Sequence, residues 1–94
     1  MKLKWLAVAV RNLEAEADYI ARESPANARA FLQHLTGSVM QLATHPHLGR
    51  PGRVFGTREL VITRYPYIVP YRIRENSVEI LRVFHTSRAW PDRL

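Results

Sequence analysis

Residues 58–90 read RELVITRYPYIVPYRIRENSVEILRVFHTSRAW, and this stretch decides the fold. It contains three apolar runs, rich in β-branched and aromatic residues, that are separated by only a few turn residues. This pattern is typical of consecutive antiparallel strands. We therefore predict strands near 58–64, 67–74 and 78–84, arranged as a β-meander. Arginines recur throughout the stretch, so the predicted sheet carries a basic surface.

Alternation along each strand assigns its residues to two faces of the predicted sheet. The middle strand has Tyr67, Val69, Tyr71 and Ile73 on one face, and Ile68, Pro70, Arg72 and Arg74 on the other. In the last strand the same rule groups Leu81, Val83 and His85 on one face, and Val78, Ile80, Arg82 and Phe84 on the other. A proline within a strand indicates an edge or a bulge, because it cannot donate to the ladder. The arginines keep at least one face from being fully buried.

Two amphipathic helices precede this meander in the chain. Apolar residues at helical spacing predict a first helix over about 10–22, with Val10 on its buried stripe and Glu16 in solvent. Ser24 and Pro25 form the start signal of a second helix, which we expect to run to about residue 43.

A short strand over 2–7, with Leu3 and Trp5 on one face, completes the predicted elements. We expect it to lie at an edge of the sheet or to pair with the last strand. The order β-α-α-β-β-β then predicts an α+β fold. In that fold a helical hairpin packs on one face of a mainly antiparallel, four-stranded sheet.

Composition limits the kinds of protein that this chain can be. Its 94 residues leave room for one domain, which we assign to residues 1–94. It has no cysteine for disulfides or thiolate metal sites, and no apolar stretch that resembles a secretion signal or a membrane span. We therefore expect a cytoplasmic protein that has no membrane partner. The net charge of +6 favours an acidic partner, and all nine basic residues in 50–94 are arginines.

The segment 44–57 is the one long loop predicted between regular elements, and it contains neither a P-loop nor a dinucleotide fingerprint. His45 and His47 have no nearby carboxylate or thiolate, so we predict no metal site and no cofactor. Arg50 and Arg53 lie among glycines that permit close approach, which makes them candidates for contact with phosphate.

The order of these elements, together with several short motifs, resembles the ParE/RelE superfamily of type II toxins. The resemblance covers nearly the whole chain, and no single motif carries it alone. The matching pieces are Trp5, Tyr19-Ile20, Ser24-Pro25, Leu48-Gly49-Arg50-Pro51, Thr57-Arg58-Glu59-Leu60-Val61, Tyr67-Ile68-Val69, Tyr71-Arg72, Arg82-Val83-Phe84-His85 and Arg88-Ala89-Trp90-Pro91. The resemblance implies a growth-inhibiting toxin that forms a hetero-oligomer with a cognate antitoxin similar to ParD or RelB.

One branch of this superfamily consists of ribosome-dependent mRNA interferases, which are metal-independent endoribonucleases. These enzymes need cations and an acid–base group at the scissile phosphate. Their catalytic arginine corresponds to Ile68 here, and the lysines of some branches correspond to Glu59 and Val61. His85 does match an interferase histidine, and a cleavage site on this chain would be built from His85, Arg82, Tyr65 and Arg88.

The gyrase-poisoning ParE branch resembles this chain more closely, since it has an apolar residue in place of the middle-strand arginine and a similar ending. Such toxins are inhibitors and need a binding surface instead of a catalytic set. The residues that we assign to target binding are Arg72, Arg74, Arg82, His85, Arg88 and Trp90, because arginines and aromatics dominate binding hot spots. A third interpretation is a non-toxic basic adaptor for nucleic acid, although the chain lacks repeated aromatics for base stacking.

Overall fold

This computed structural model describes residues 1–87 of the chain. They contain two helices and six strands. A 3₁₀ turn, Gln41–Ala43, follows the second helix directly. The elements are β1 (Lys2–Trp5), α1 (Ala7–Ala21), α2 (Pro25–Met40), β2 (Arg50–Pro51), β3 (Arg58–Ile62), β4 (Tyr67–Arg74), β5 (Ser77–Ile80) and β6 (Phe84–His85).

The strands form one mixed sheet in the order β1-β5-β4-β3-β2, and β6 pairs with the first residues of β4. β1 runs parallel to β5, and every other pairing is antiparallel. The predicted α+β fold and its four main strands are confirmed, as is the position of β1 at an edge. The two-residue strand β2 is an addition that the sequence pattern did not predict, and β6 extends the end of the predicted last strand by one residue, to His85.

The core lies between one face of this sheet and the two helices. β4 contributes Tyr67, Val69 and Tyr71 to it, as alternation predicted. Leu3 and Trp5 of β1 pack against the same cluster. The buried core residues from the other elements are Ala9, Leu13, Ala17, Phe31, Leu35, Val39, Leu42, Leu60, Ile62, Val78, Ile80 and Val83.

α2 begins where the sequence indicated. The Ser24 side chain accepts a hydrogen bond from the backbone N–H of Asn27 at 3.1 Å, and Pro25 occupies the first helical position. This arrangement satisfies one of the N–H groups that a helix leaves unpaired at its start.

α1 differs from the prediction, because it begins at Ala7 and buries a different stripe. Its buried residues are Ala9, Leu13, Glu16 and Ala17, whereas Val10 is exposed. The predicted burial of Val10 and exposure of Glu16 were therefore wrong. Leu6 at the N-cap makes no side-chain hydrogen bond, so the sequence has no capping signal that marks where this helix begins.

The last predicted strand, 78–84, is interrupted by a β-bulge. Tyr71 pairs with Ile80, but Ile68 pairs with Phe84, so two residues of β4 face three residues, 81–83. The Leu81 N–H donates to the Pro70 carbonyl at 2.9 Å. One extra residue reverses the alternation, which puts Val83 in the core with Val78 and Ile80. The predicted separation of Val83 from those two residues was therefore wrong.

The turn between β4 and β5 places a left-handed residue one position earlier than expected. Glu75 has φ 57°, and it is the only non-glycine residue with positive φ within residues 1–87. From the sequence we expect Glu75-Asn76 to form this turn with Asn76 as the left-handed residue, because asparagine tolerates that conformation; the structure places it at Glu75 instead.

Candidate functional site

The sheet has one face that the two helices do not cover, which we call the open face. It carries a basic cluster where β1, β5 and β4 lie side by side. Strand register aligns Lys4, Glu79 and Arg72 in one row across the three strands, and Lys2 and Arg74 belong to the next row. We call these five residues the basic face. Four cations surround one carboxylate, so the basic face is suited to an acidic partner.

Glu79 organises the basic face. The Arg72 guanidinium donates a hydrogen bond from Nε to Glu79 Oε1. That bond, together with the charges of Arg72, Arg74 and Lys4, holds the pKa of the Glu79 carboxyl below its usual value despite some desolvation. Glu79 therefore stays ionised and fixes Arg72, while Arg74 extends into solvent as an exposed residue.

A cleft of about 680 Å³ opens at the other end of the sheet, on the side of the helices. We call it the His85 cleft. The His85 ring packs edge-on against Tyr67, with 5.1 Å between ring centroids. His85 Nδ1 lies 3.2 Å from the Ser87 N–H and 2.7 Å from the Ser87 hydroxyl. The lining residues are Glu16, Tyr19, Ile20, Asn27, Tyr65, Pro66, Tyr67, His85 and Ser87.

A buried hydrogen bond forms the floor of the His85 cleft. The Tyr67 hydroxyl donates to Glu16 Oε1 at 2.7 Å, and both residues are buried. Sequence reasoning missed Glu16 because its spacing among acidic neighbours is typical of a solvent-facing position. No signal in the single sequence identifies Tyr67 as its partner, since the two residues are 51 positions apart.

Tyr65 and His85 are the two predicted site residues that the structure brings together. Tyr65 lines the His85 cleft and packs edge-on against Phe31 of α2 at 5.4 Å between centroids. Arg72 and Arg74 lie on the opposite face of β4. Arg72 is also about 17 Å from Tyr67 along the strand, at about 3.3 Å per residue.

Within the described part of the chain, no other predicted site residue joins the basic face or the His85 cleft. Arg82 lies in the β-bulge and is partly buried. Arg88 and Trp90 lie outside the described residues. The predicted target-binding set is therefore divided between the basic face and the His85 cleft, and does not form one continuous group within residues 1–87.

Of the three positions that the resemblance aligns with the catalytic cations of interferases, Val61 and Ile68 form an apolar patch on the open face, and the third, Glu59, carries a carboxylate. Val61 pairs directly with Ile68, and Ile68 pairs with Phe84 on its other side. Val61 is exposed, whereas Ile68 is buried. His85 shares a face with its partner Tyr67, so the predicted acid–base histidine and this patch lie on opposite faces of the sheet.

Arg50 and Arg53, which we expected to be candidates for phosphate contact, bind Glu59 instead. Arg50 Nη2 lies 3.1 Å from Glu59 Oε1, and Arg53 Nε lies 3.4 Å from Glu59 Oε2. Burial raises the pKa of the Glu59 carboxyl, but the Arg53 backbone N–H and both guanidinium groups more than offset this effect, so the pKa lies below its usual value. Glu59 is therefore a buried, ionised anchor.

In the described part of the chain, His45 and His47 do not gain further metal ligands from the fold. The His45 Nδ1 lies 3.0 Å from the Thr44 hydroxyl. Within residues 1–87, no group of three or more His, Cys, Asp or Glu side chains is arranged to hold a metal ion. No helix in that part of the chain is both long and apolar enough to cross a bilayer.

Comparison with known proteins relates this geometry to a family. The family profile described as "ParE toxin of type II toxin-antitoxin system, parDE" matches residues 3–90. The chain is 41% identical over 93 residues to "Putative toxin Y4kP" of Sinorhizobium fredii, covering 99% of this chain and 96% of that protein. It is 33% identical over 84 residues to Toxin RelE2 of Caulobacter vibrioides, covering 89% and 93% of the two chains.

A solved structure supports the same assignment. A chain from the chromosomal ParDE toxin–antitoxin system of P. aeruginosa has a TM-score of 0.83 and 31% identity to this chain, covering 93% of this chain and 97% of that one. The agreement extends over both helices and the sheet, which are the elements that carry the basic face and the His85 cleft. The chain therefore belongs to the ParE toxin family of type II toxin–antitoxin systems.

Proposed function

We propose that this toxin acts by binding and poisoning DNA gyrase, without catalysing a reaction itself. The observation that carries the proposal is the apolar patch of Val61 and Ile68, which occupies the open face where interferases need cations. Cleavage of RNA requires positive charge at the scissile phosphate. Arg50 and Arg53 are already paired with Glu59, and Arg58 donates to the Gly49 and His47 carbonyls. Both candidate targets are cytoplasmic, which is where we expect the toxin to act.

The basic face supports a role in binding. Arg72 is fixed by Glu79, and Arg74 is exposed beside it. Arginines arranged in this way give specificity and fast association with an acidic protein surface. We assign target binding to Arg72 and Arg74, with Arg82, His85, Arg88 and Trp90 as further contacts.

A supercoiling assay with purified gyrase and relaxed plasmid tests this proposal. We expect the toxin to inhibit supercoiling and, after detergent and protease treatment, to leave linear plasmid. Arg74→Ala should raise the half-inhibitory concentration several-fold, because a rim arginine contributes about 1 kcal/mol to binding. Arg29→Ala, which removes another exposed arginine, on α2, is the matched control and should behave like the wild type. Unchanged supercoiling at saturating toxin would contradict the proposal.

Ribosome-dependent mRNA cleavage is the second candidate function, and the His85 cleft favours it. His85 and Tyr65 line one cleft beside the buried Glu16, which provides titratable groups for acid–base chemistry. In a purified translation system, RNA fragments that appear only with both toxin and ribosomes would support this function. The same toxin preparation should be used in both assays.

A cognate antitoxin is the other partner that we propose, and we expect its acidic segment to cover the basic face. Such a segment would neutralise the excess positive charge and compete with the target for Arg74. Co-purification with the product of the neighbouring small gene should raise the melting temperature, because a partner that binds only the folded state stabilises it. An unchanged melting temperature, or growth arrest that persists on co-expression, would show that this product is not the antitoxin.

A further inference from the structure

The loop between β2 and β3, residues 52–57, presents a fully exposed aromatic side chain. Phe55 has a relative exposure of 103%, so it is surrounded by solvent. Gly56 follows it with φ 80°, a conformation that favours glycine. Isolated apolar residues are common on protein surfaces, so the exposure of Phe55 does not by itself indicate a binding site. The construction of the loop around it is the second observation.

The loop is closed by hydrogen bonds between its two ends. The Gly52 N–H donates to the Thr57 carbonyl at 2.8 Å, and the Thr57 N–H and hydroxyl donate to the Val54 carbonyl at 3.1 and 2.6 Å. A Cβ atom at position 52 would lie 2.2 Å from Thr57 Oγ1. Gly52 is therefore required for this closure, which restricts the backbone conformations of the loop that carries Phe55.

A buried carboxylate fastens the same loop to the sheet. Glu59 has a side-chain exposure of only 3%, and its Oε2 accepts the Arg53 backbone N–H at 3.0 Å. Its remaining partners are the Arg50 and Arg53 guanidinium groups. Burying a carboxylate is unfavourable unless it is paired, and here the pairing fixes a surface loop. A loop fixed in advance loses little conformational entropy when it binds a partner.

The loop borders a groove on the face of β4 opposite to Arg72 and Arg74. Gly56, Thr57 and Arg58 line a small groove together with Ile73 of β4, and Ile73 lies between Arg72 and Arg74 in the sequence. An exposed aromatic residue next to arginines has the composition of a binding hot spot. Ile73 faces away from Arg72 and Arg74, so the positive charge near the apolar tip comes from Arg50, Arg53 and Arg58 of the loop and its flanking strands.

We propose that Phe55 inserts into an apolar pocket, rimmed by acidic side chains, on the protein target of the toxin. The neighbouring guanidinium groups favour a protein over a nucleic acid. Arg50 and Arg53 donate to Glu59, and Arg58 donates to the Gly49 and His47 carbonyls. They supply fixed positive charge around the loop, but the ionised Glu59 carboxylate is shared by Arg50 and Arg53, and these internal contacts restrict the bidentate approach that phosphate recognition uses. This inference rests on the proposed function only in taking gyrase as the target.

The test compares Phe55→Ser and Phe55→Leu with Met40→Ala, which truncates another exposed apolar residue, on α2. In the supercoiling assay, Phe55→Ser should raise the half-inhibitory concentration about tenfold or more, as expected for a hot-spot anchor. Phe55→Leu should retain an intermediate effect because it keeps part of the apolar volume. Met40→Ala should lie within about twofold of the wild type, since most exposed positions lie outside hot spots. Melting temperatures should not change, because the Phe55 side chain is not buried.

Growth arrest on induction without antitoxin separates this inference from the choice of target. If wild-type toxin does not inhibit gyrase but Phe55→Ser relieves growth arrest, the gyrase proposal fails and the anchor role stands. If Phe55→Ser inhibits gyrase and arrests growth as strongly as the wild type, the anchor role is wrong. If the purified toxin binds duplex DNA alone and Phe55→Ser abolishes that binding, the assignment to a protein pocket is overturned.

Discussion

Gly49→Ala is expected to destabilise the fold by about 3 kcal/mol, an overpacking cost at the upper end of the usual range. An added Cβ would lie 2.6 Å from the Tyr71 ring and 2.8 Å from the backbone carbonyl of Glu59. The Tyr71 ring is fully buried, and its hydroxyl accepts the Gly49 N–H and donates to the Pro46 carbonyl, both at 2.8 Å. Neither neighbour can move without breaking this contact between the loop and the sheet.

Urea unfolding followed by circular dichroism measures this effect, and Gly37→Ala is its matched control. Gly37 lies on α2, and apart from the adjacent backbone of its own helix a Cβ atom there would have no heavy atom within 4 Å. Alanine at this position should stabilise the helix by about 0.5–1 kcal/mol. If the two variants had equal stability, the close packing of Gly49 against Tyr71 would be wrong.

Glu59→Gln is expected to cost about 2 kcal/mol at neutral pH, because it removes a buried charge from two arginines and a backbone N–H. The pKa of Glu59 is lower in the folded state than in the unfolded state. A carboxylate with a depressed folded-state pKa contributes stability that is fully present above its unfolded pKa. That contribution is lost as the pH falls through the folded-state pKa. The difference between wild type and variant should therefore be constant from pH 7 to about pH 5 and shrink below about pH 4.

The free energy of unfolding, measured in urea at a series of pH values, tests this expectation. Glu14→Gln, on the exposed side of α1, is the control and should change stability by less than about 0.5 kcal/mol. A difference between wild type and Glu59→Gln that stays constant down to pH 3 would mean that Glu59 is not held by the arginines.

The parts of the fold that follow from local chemistry could be predicted from the sequence. Ser24 and Pro25 identify the start of α2 because capping depends on residues within one turn. Tyr67, Val69 and Tyr71 face the core because a regular strand alternates with a period of two. The order of the elements was enough to identify the α+β fold.

The features that depend on pairing between distant strands could not be predicted. The apolar run around Leu81 is compatible with regular pairing and with a β-bulge. Only its pairing with β4 shows that two residues of β4 face three residues, 81–83. The position of Pro70 gave the one available signal, because it indicated an edge or a bulge. Burial of Glu16 likewise depends on Tyr67, 51 residues away.

The candidate site, like the fold, could be predicted from the sequence only in part. Its residue types were predictable, and Tyr65 and His85 do meet in one cleft. The separation of Tyr65 and His85 from Arg72 and Arg74 depends on the register between strands. Alternation along a single strand cannot give that register, because the β-bulge shifts it by one residue. The role of Arg50 and Arg53 was missed because their partner, Glu59, reaches them through the β2–β3 pairing.

The most direct measurement of the central claim is pulse labelling of DNA and protein synthesis within one generation of inducing the toxin alone, accompanied by microscopy. Poisoning of gyrase predicts filamented cells in which DNA synthesis fails while translation continues. An immediate fall in translation with intact DNA synthesis would contradict the gyrase proposal and identify the His85 cleft as the catalytic site to be tested.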